Sequence, residues 1–305
     1  MLLIDEYLNY LSGSVGKSEG TIKQYKTSIN LFSKYMKDNH FIIIRESVKK
    51  VSIEHIHKYL SSINLILDED GKRISGSSNS SKQNKISALK SFFGYCKIIK
   101  LTKINIILDI LELPPIHERV RRYFEIEECK KLIDSVGERN FVRDRTIIIL
   151  FLNTGLRLSE LVKLNINCVS NDNLTIIGKG NKERPVCLNS KLKLELNEYL
   201  LQRPQSESKA LFLSERKLRI SIGAVQNMLK NTIERSGLKI EGETDILVHI
   251  LRRTFATLEY QNGMDIEELR QILGHKKIGT TQLYITTSKK QMKARAEKSI
   301  MSSII

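Results

Sequence analysis

His249 and Arg252 stand three residues apart in the run His249-Ile250-Leu251-Arg252-Arg253-Thr254-Phe255-Ala256-Thr257. On a helix that spacing puts them on one face, while Leu251, Phe255 and Leu258 mark another. An imidazole and a guanidinium projecting together can hold a single phosphate. Arg157 follows Gly155 and leads into Glu160, Leu161 and Val162, as a residue at a helix start would. Leu273-Gly274-His275 closes another helical run, and Tyr284 comes after Thr280-Thr281-Gln282-Leu283 in polar surroundings that need not bury its phenol. Lys179 lies in Gly178-Lys179-Gly180-Asn181-Lys182-Glu183, between two β-branched runs. Taken singly, each has an ordinary structural reading: a common helix face, a surface arginine, a packing aromatic.

The elements that must position these residues follow from periodicity. Up to about Leu113 the pattern is helical throughout: Ile4, Tyr7, Leu8 and Leu11; then Ile22, Tyr25, Ile29, Phe32, Tyr35 and Met36 behind an N-cap at Ser18; then Ile53, Ile56, Leu60 and Ile63 behind Ser52; then Ile86, Leu89, Phe92, Phe93 and Cys96. The last is entered from the Ser/Asn-rich stretch Ser75 to Ser81. Pro114-Pro115 stops helix continuation, and the charged, apolar-poor segment after it reads as a linker. Beyond it, helices are expected around Ile126 to Val136 and Asp144 to Asn153. Leu174 to Ile177 and Arg184 to Leu188 flank the glycine-containing turn as a β-hairpin. From Lys191 the chain is again mostly helical, with Met292, Ala296, Ile300 and Met301 at helical spacing in the tail. The expected organisation is a helical domain over 1–113, a linker over 114–123 and a mixed α/β domain over 124–305 with a tail at 288–305. The fold class is mainly α with a small β-sheet.

Composition limits the partners. The chain has 305 residues, with 50 Lys plus Arg against 34 Asp plus Glu, for a net charge of +16. A charge of that size favours a polyanion without saying which one. Between Gly71 and Lys100 the cations Lys72, Arg73, Lys82, Lys85, Lys90, Lys97 and Lys100 occur with no Asp or Glu, a natural phosphate-contacting surface or else a solvated helix face. Arg119, Arg121 and Arg122 form a second basic cluster in the linker. An apolar share of 41% is enough for real cores. No apolar run approaches a membrane span and no basic leader opens the chain, so a cytoplasmic protein without a membrane partner is expected. Cys96, Cys129, Cys168 and Cys187 are scattered without zinc spacing and read as ordinary buried thiols, so no metal site is expected.

The order Arg157, Lys179, His249 with Arg252, His275, Tyr284 resembles the active-site series of the tyrosine recombinase (phage integrase) family, including its Xer-type members. The motifs that carry it are Thr154-Gly155-Leu156-Arg157-Leu158-Ser159-Glu160-Leu161, the 178–184 hairpin, the 249–257 run, and Leu273-Gly274-His275 leading to Tyr284. In the N-terminal half, Thr21, Tyr25, Phe32, Ser87, Leu89 and Phe92 resemble the family's helical, SAM-like core-binding domain. The departures are Val248 where proline is frequent, Arg253 where a second His is common, and Pro185 in the second hairpin strand, which suits a sheet edge.

The resemblance implies a site-specific recombinase. Arg157 and Arg252 would supply fixed, forked donors to the nonbridging oxygens of a phosphodiester, and His249 and His275 hydrogen bonds or proton transfer. Tyr284 would attack to form a 3′-phosphotyrosine, with Lys179, or Lys182 as its substitute, protonating the leaving 5′ oxygen. The bond energy stays in the intermediate, so no ATP, metal or other cofactor is implied. Lys72, Arg73, Lys82, Lys85, Lys90, Arg119, Arg121, Arg122 and Lys182 would contact the backbone of duplex DNA. Four protomers on two DNA sites, all alike or mixed with a paralogous recombinase, would be the active assembly, the tail contacting a neighbour. A Xer-like or a mobile-element role fits equally. A type IB topoisomerase-like enzyme and a catalytically silent DNA-binding accessory protein are the alternatives.

Overall fold

The computed structural model describes residues 3–64, 66–67, 73–75, 79–102, 122–170, 172–178, 183–240, 247–275, 279 and 281, with 66–67, 73–75 and 80 described by backbone alone. The chain divides into two compact units, Met1–Arg119 and Val120–Ile305. Most of the expected linker, including Pro114-Pro115, Arg119 and Arg121, and the whole expected tail lie outside the described residues.

In the first unit, α1 (Leu3–Gly13) buries Leu3, Tyr7 and Leu11, and α2 (Glu19–Asp38) buries Ile29, Phe32 and Met36. These are the apolar positions that recur at helical spacing in the sequence. Ser18 caps α2 by accepting from the Thr21 N–H, and Ser52 starts α3 (Ile53–Ser62) with its own N–H donating to His55 Nδ1 at 3.0 Å. The fourth helix of this unit, α4 (Asn79–Ile98), closes the core with Leu89, Phe92, Phe93 and Cys96. Aromatic edges lock the helices together: Tyr7 meets Phe92 at 5.3 Å and Phe32 meets Tyr59 at 5.1 Å. The region is not helical throughout, as the periodicity suggests. Strands β1 (Ile66–Leu67) and β2 (Arg73–Ser75) pair antiparallel ahead of α4. Isoleucines at 66 and 74 around Asp70-Gly71 are a hairpin signal that the surrounding helical pattern overshadows.

The second unit is built on α6 (Phe141–Thr154), whose residues from Thr146 to Phe151 are all buried. It packs against α8 (Ser190–Gln202) and α10 (Leu247–Gln261), and α5 (Ile126–Asp134) lies against α6 and α9 (Ile222–Ser236). A short α7 (Leu158–Leu161) follows α6, and α11 (Ile266–Leu273) follows α10. Strands β3 (Asn173–Ile177) and β4 (Glu183–Cys187) form the expected hairpin, with Thr175 opposite Pro185. Each strand of a two-stranded sheet has a free edge, so a proline is tolerated there. Side-chain alternation along β4 buries Val186 and turns Cys187 outward. Cys187 is therefore exposed and Cys129 half-buried; only Cys96 and Cys168 are buried thiols.

Beyond Lys191 the described chain is mostly helical, as expected, with the stretch from Arg203 to Ser221 as an irregular interruption. Pro204 ends α8, and the Arg203 guanidinium takes over the carbonyls that a helix would have satisfied, donating to Ser208 O, Ala210 O and Leu211 O at 2.8, 2.8 and 3.1 Å.

Candidate active site

The site begins where α6 stops. Gly155 takes up φ +58° as the C-cap, a left-handed conformation that glycine reaches without steric cost. A Cβ there would also sit 2.5 Å from Phe255 Cδ1 and 2.8 Å from Leu273 Cδ2, so α6, α10 and α11 converge at a point with no room for a side chain. The turn delivers Arg157 to the N-cap of α7, where Glu160 Oε2 accepts the Arg157 N–H at 2.9 Å.

Arg252, on α10, is 2% exposed. Its Nη1 donates to Gly155 O at 2.5 Å, and its Nη2 donates to Leu273 O at 2.6 Å and meets His275 Nε2 at 2.8 Å. A guanidinium can only donate, so Nε2 is the acceptor. His275 then carries its proton on Nδ1, facing Thr281 Oγ1 at 2.9 Å. Burial, then the charges of Arg252, Arg157 and Arg184, push the His275 pKa down to about 4, so the ring is neutral at neutral pH. Arg270 Nη1 fixes the His275 backbone carbonyl at 2.6 Å.

Leu273 O accepts a second guanidinium, Arg157 Nη1, at 3.3 Å. The same Arg157 nitrogen donates to Glu160 Oε1 at 2.8 Å. Arg184, on β4, clamps Glu160 from the other side and donates Nε to Ile272 O at 2.8 Å. Burial opposes ionisation of Glu160, but the hydrogen bonds from Arg184 and from Arg157 outweigh it and hold the carboxyl at about 2. His249 stays exposed on α10, and partial burial of its ring, with Arg252, Arg253 and Arg157 nearby, lowers its pKa as well.

Of the residues expected to act on phosphate, Arg157, Arg252 and His275 thus form one bonded group, with His249 one helical turn from Arg252. Lys179 and Tyr284 lie outside the described residues, as do Lys182, Lys72, Arg119 and Arg121, and Arg73 is described by backbone alone. Lys82 and Lys85 sit half-buried in the first turns of α4, bonded to Asn64 Oδ1 and to Ser81 Oγ, and Lys90 is half-buried further along. Arg122 pairs with Glu128 at 2.5 Å and lies over the Phe124 ring, and its backbone carbonyl accepts from Arg253. Glu160, Arg184 and Thr281 are additions to the sequence reading. The Arg157/Glu160 spacing of three was a legible helix-start signal; nothing in the sequence marks Arg184 as its partner. Among the described residues, no group of three or more His, Cys, Asp or Glu is placed to hold a metal ion, and no helix is long and apolar enough to cross a membrane.

Residues 122–291 match the phage integrase family, and residues 4–97 match the phage integrase N-terminal SAM-like domain. Tyrosine recombinase XerC of Caldanaerobacter subterraneus subsp. tengcongensis is 34% identical, over 98% of this chain and 87% of that protein. The XerH site-specific recombinase bound to difH substrate in a pre-cleavage complex superposes with a TM-score of 0.68 at 24% identity, over 92% of this chain and 79% of that one. A lambda integrase tetramer bound to a Holliday junction gives 0.70 at 18% identity, over 93% and 76%. The two structural likenesses show a shared fold.

Proposed function

The chain belongs to the phage integrase family as a Xer-like tyrosine recombinase, and from that membership we propose how its residues divide the work of site-specific DNA recombination. The family match and the XerC relative favour recombination over a topoisomerase-like or a catalytically silent protein.

The observation that carries the assignment is the shared acceptor: Arg157 and Arg252 both donate to Leu273 O. Two guanidiniums within reach of one oxygen are also within reach of the two nonbridging oxygens of one phosphate. There they stabilise the charge that builds during attack, each donor being worth about 10²–10³ in rate. Tyr284 attacks phosphorus, and as its P–O bond forms the bond to the 5′ oxygen breaks. The products are a 3′-phosphotyrosine and a 5′-hydroxyl. Lys179 gives the leaving oxygen its proton. His249, uncharged near neutral pH and open to solvent, takes the phenol proton or donates to a nonbridging oxygen. His275 works differently: buried, neutral and accepting from Arg252, it aims that guanidinium. Attack by a partner strand's 5′-hydroxyl reverses the step and rejoins the DNA.

Duplex DNA is the partner, and the recombinases caught on DNA among its structural neighbours support that reading. Lys82, Lys85 and Lys90, with Lys72, Arg73, Arg119, Arg121 and Lys182, would hold its backbone. The lambda integrase tetramer supports a tetrameric assembly, and the protein would work in the cytoplasm.

The test is a nicked duplex carrying the target site, incubated without metal and probed for a covalent protein–DNA adduct. The unaltered protein should form it and Tyr284→Phe should not. An adduct that persists in Tyr284→Phe removes the nucleophile assignment.

A further inference from the structure

Glu160 lies 5% exposed between two arginines that it holds in different ways. Arg184 makes a forked clamp, Nη1 to Oε1 at 3.1 Å and Nη2 to Oε2 at 2.9 Å, and its side chain is only 13% exposed. Arg157 makes one side-chain contact with the carboxylate and stays 36% exposed. A carboxylate paired with Arg157 alone would cancel most of the charge that Arg157 could turn toward a phosphate. With Arg184 as the second cation, the three groups carry one net positive charge, and the exposed member of the three is Arg157.

We propose that Arg184 is a positioning residue for strand cleavage: it absorbs the charge of Glu160 and so leaves Arg157 cationic toward the scissile phosphate. The inference rests on the reading of Arg157 as a phosphate ligand. A second contact serves the same end. Arg184 Nε holds Ile272 O, next to the Leu273 carbonyl on which both Arg157 and Arg252 are anchored. Its side chain reaches there because residue 274 is glycine at φ +64°; a Cβ would stand 3.0 Å from Arg184 Nη1. From β4, then, one side chain ties the hairpin to the start of α7 and the end of α11.

A purely structural ion pair and a charge-balancing one differ in their response to removal of both partners. In the balancing role, Arg184→Met leaves Glu160 drawing on Arg157, and adding Glu160→Gln removes the competitor. In the structural role the second substitution adds damage. The measurements are single-turnover cleavage of the nicked duplex, DNA affinity by fluorescence anisotropy, and the melting temperature of each variant. Arg184→Met should slow cleavage by about 100-fold, the scale of losing one preorganised donor, with DNA affinity nearly unchanged. Arg184→Met with Glu160→Gln should recover about tenfold of that loss, because an uncompensated buried charge costs more than an absent pair. Arg184→Lys keeps the charge and loses the fork, so it should fall between the unaltered protein and Arg184→Met. A double variant no faster than Arg184→Met overturns the proposal. If Arg184→Met does not fold, the double variant and Arg184→Lys decide alone: the double variant must be well folded and cleave at a rate near that of Arg184→Lys, and a well-folded but silent double variant overturns the proposal. Arg157→Ala separates the two levels. If it cleaves normally, the reading of Arg157 itself fails; if it is inactive while Arg184→Met cleaves normally, only this inference fails.

Discussion

The neutral state of His275 makes the stability of the catalytic unit depend on pH in a calculable way. Its folded pKa sits at about 4 against 6.5 for the free side chain, because the ring is buried and its Nε2 accepts from an arginine that cannot give up its charge. The folded state therefore binds this proton less readily than the unfolded chain. The contribution is fully present above about pH 6.5 and is lost as pH falls toward 4. At 1.36 kcal/mol per unit, the loss is about 2 kcal/mol by about pH 5 and about 3 kcal/mol by about pH 4. Glu160, held near 2 against 4.5, loses its contribution as pH falls from about 5 toward 2, so the two windows overlap between about pH 5 and 4, and comparison with a variant that keeps Glu160 cancels its share. His249 is lowered too, and a reference variant removes its share. His275→Gln keeps an acceptor for Arg252 without titrating. Urea unfolding followed by circular dichroism should show the unaltered protein more stable at neutral pH, with its advantage over His275→Gln shrinking by about 2 kcal/mol by about pH 5. A constant gap across that window would refute the buried, neutral imidazole and with it the assigned direction of the Arg252–His275 bond.

Gly155→Ala places a Cβ 2.5 Å from Phe255 and 2.8 Å from Leu273 at a positive φ. Left-handed strain of about 1–2 kcal/mol and overpacking of about 1–3 kcal/mol should together destabilise the unit by about 2–5 kcal/mol, read as a lower urea midpoint with slower adduct formation. Replacing Lys82, Lys85 and Lys90 by Ala should weaken DNA binding with little effect on cleavage of saturated DNA. The log-log salt slope from anisotropy should fall by about 0.9 for each phosphate that these lysines neutralise, and an unchanged slope would mean that they are solvated.

The helices of the first unit were legible because their buried faces recur at a period that only a helix satisfies: Tyr7 and Leu11, Phe32 and Met36, Leu89 and Phe92. The hairpin β3–β4 was legible from β-branched runs around glycines. The β1–β2 pair and the Arg203–Ser221 stretch were not, since the one is two to three residues per strand and the other is ordered by side chains, Arg203, Arg143 and Tyr199 among them, that take up its backbone carbonyls. The same limit applies at the site. The residues proposed to act on phosphate were readable from motif order, but their anchors, Gly155 O, Leu273 O and Ile272 O, are backbone atoms that every sequence contains. Arg122 shows a further point: the sequence marks its charge but not its partner, Glu128 six residues on, which pairs with its guanidinium.

Those anchors also explain how the two arginines assigned to the phosphate can be rigid and still present charge. A guanidinium fixed by a carboxylate is well placed but partly neutralised; one left to solvent keeps its charge but loses its geometry. Arg252 is oriented in part by two carbonyl oxygens and a neutral imidazole nitrogen, contacts that fix it without cancelling its charge. That requires His275 to stay unprotonated, which ties the low pKa of the ring to the strength of the field at the phosphate. Arg157 does have a carboxylate, and the conflict is resolved there by sharing Glu160 with Arg184. The consequence for engineering is asymmetric: near Arg252 the damaging change should be a new acid, whereas near Arg157 it should be the loss of Arg184.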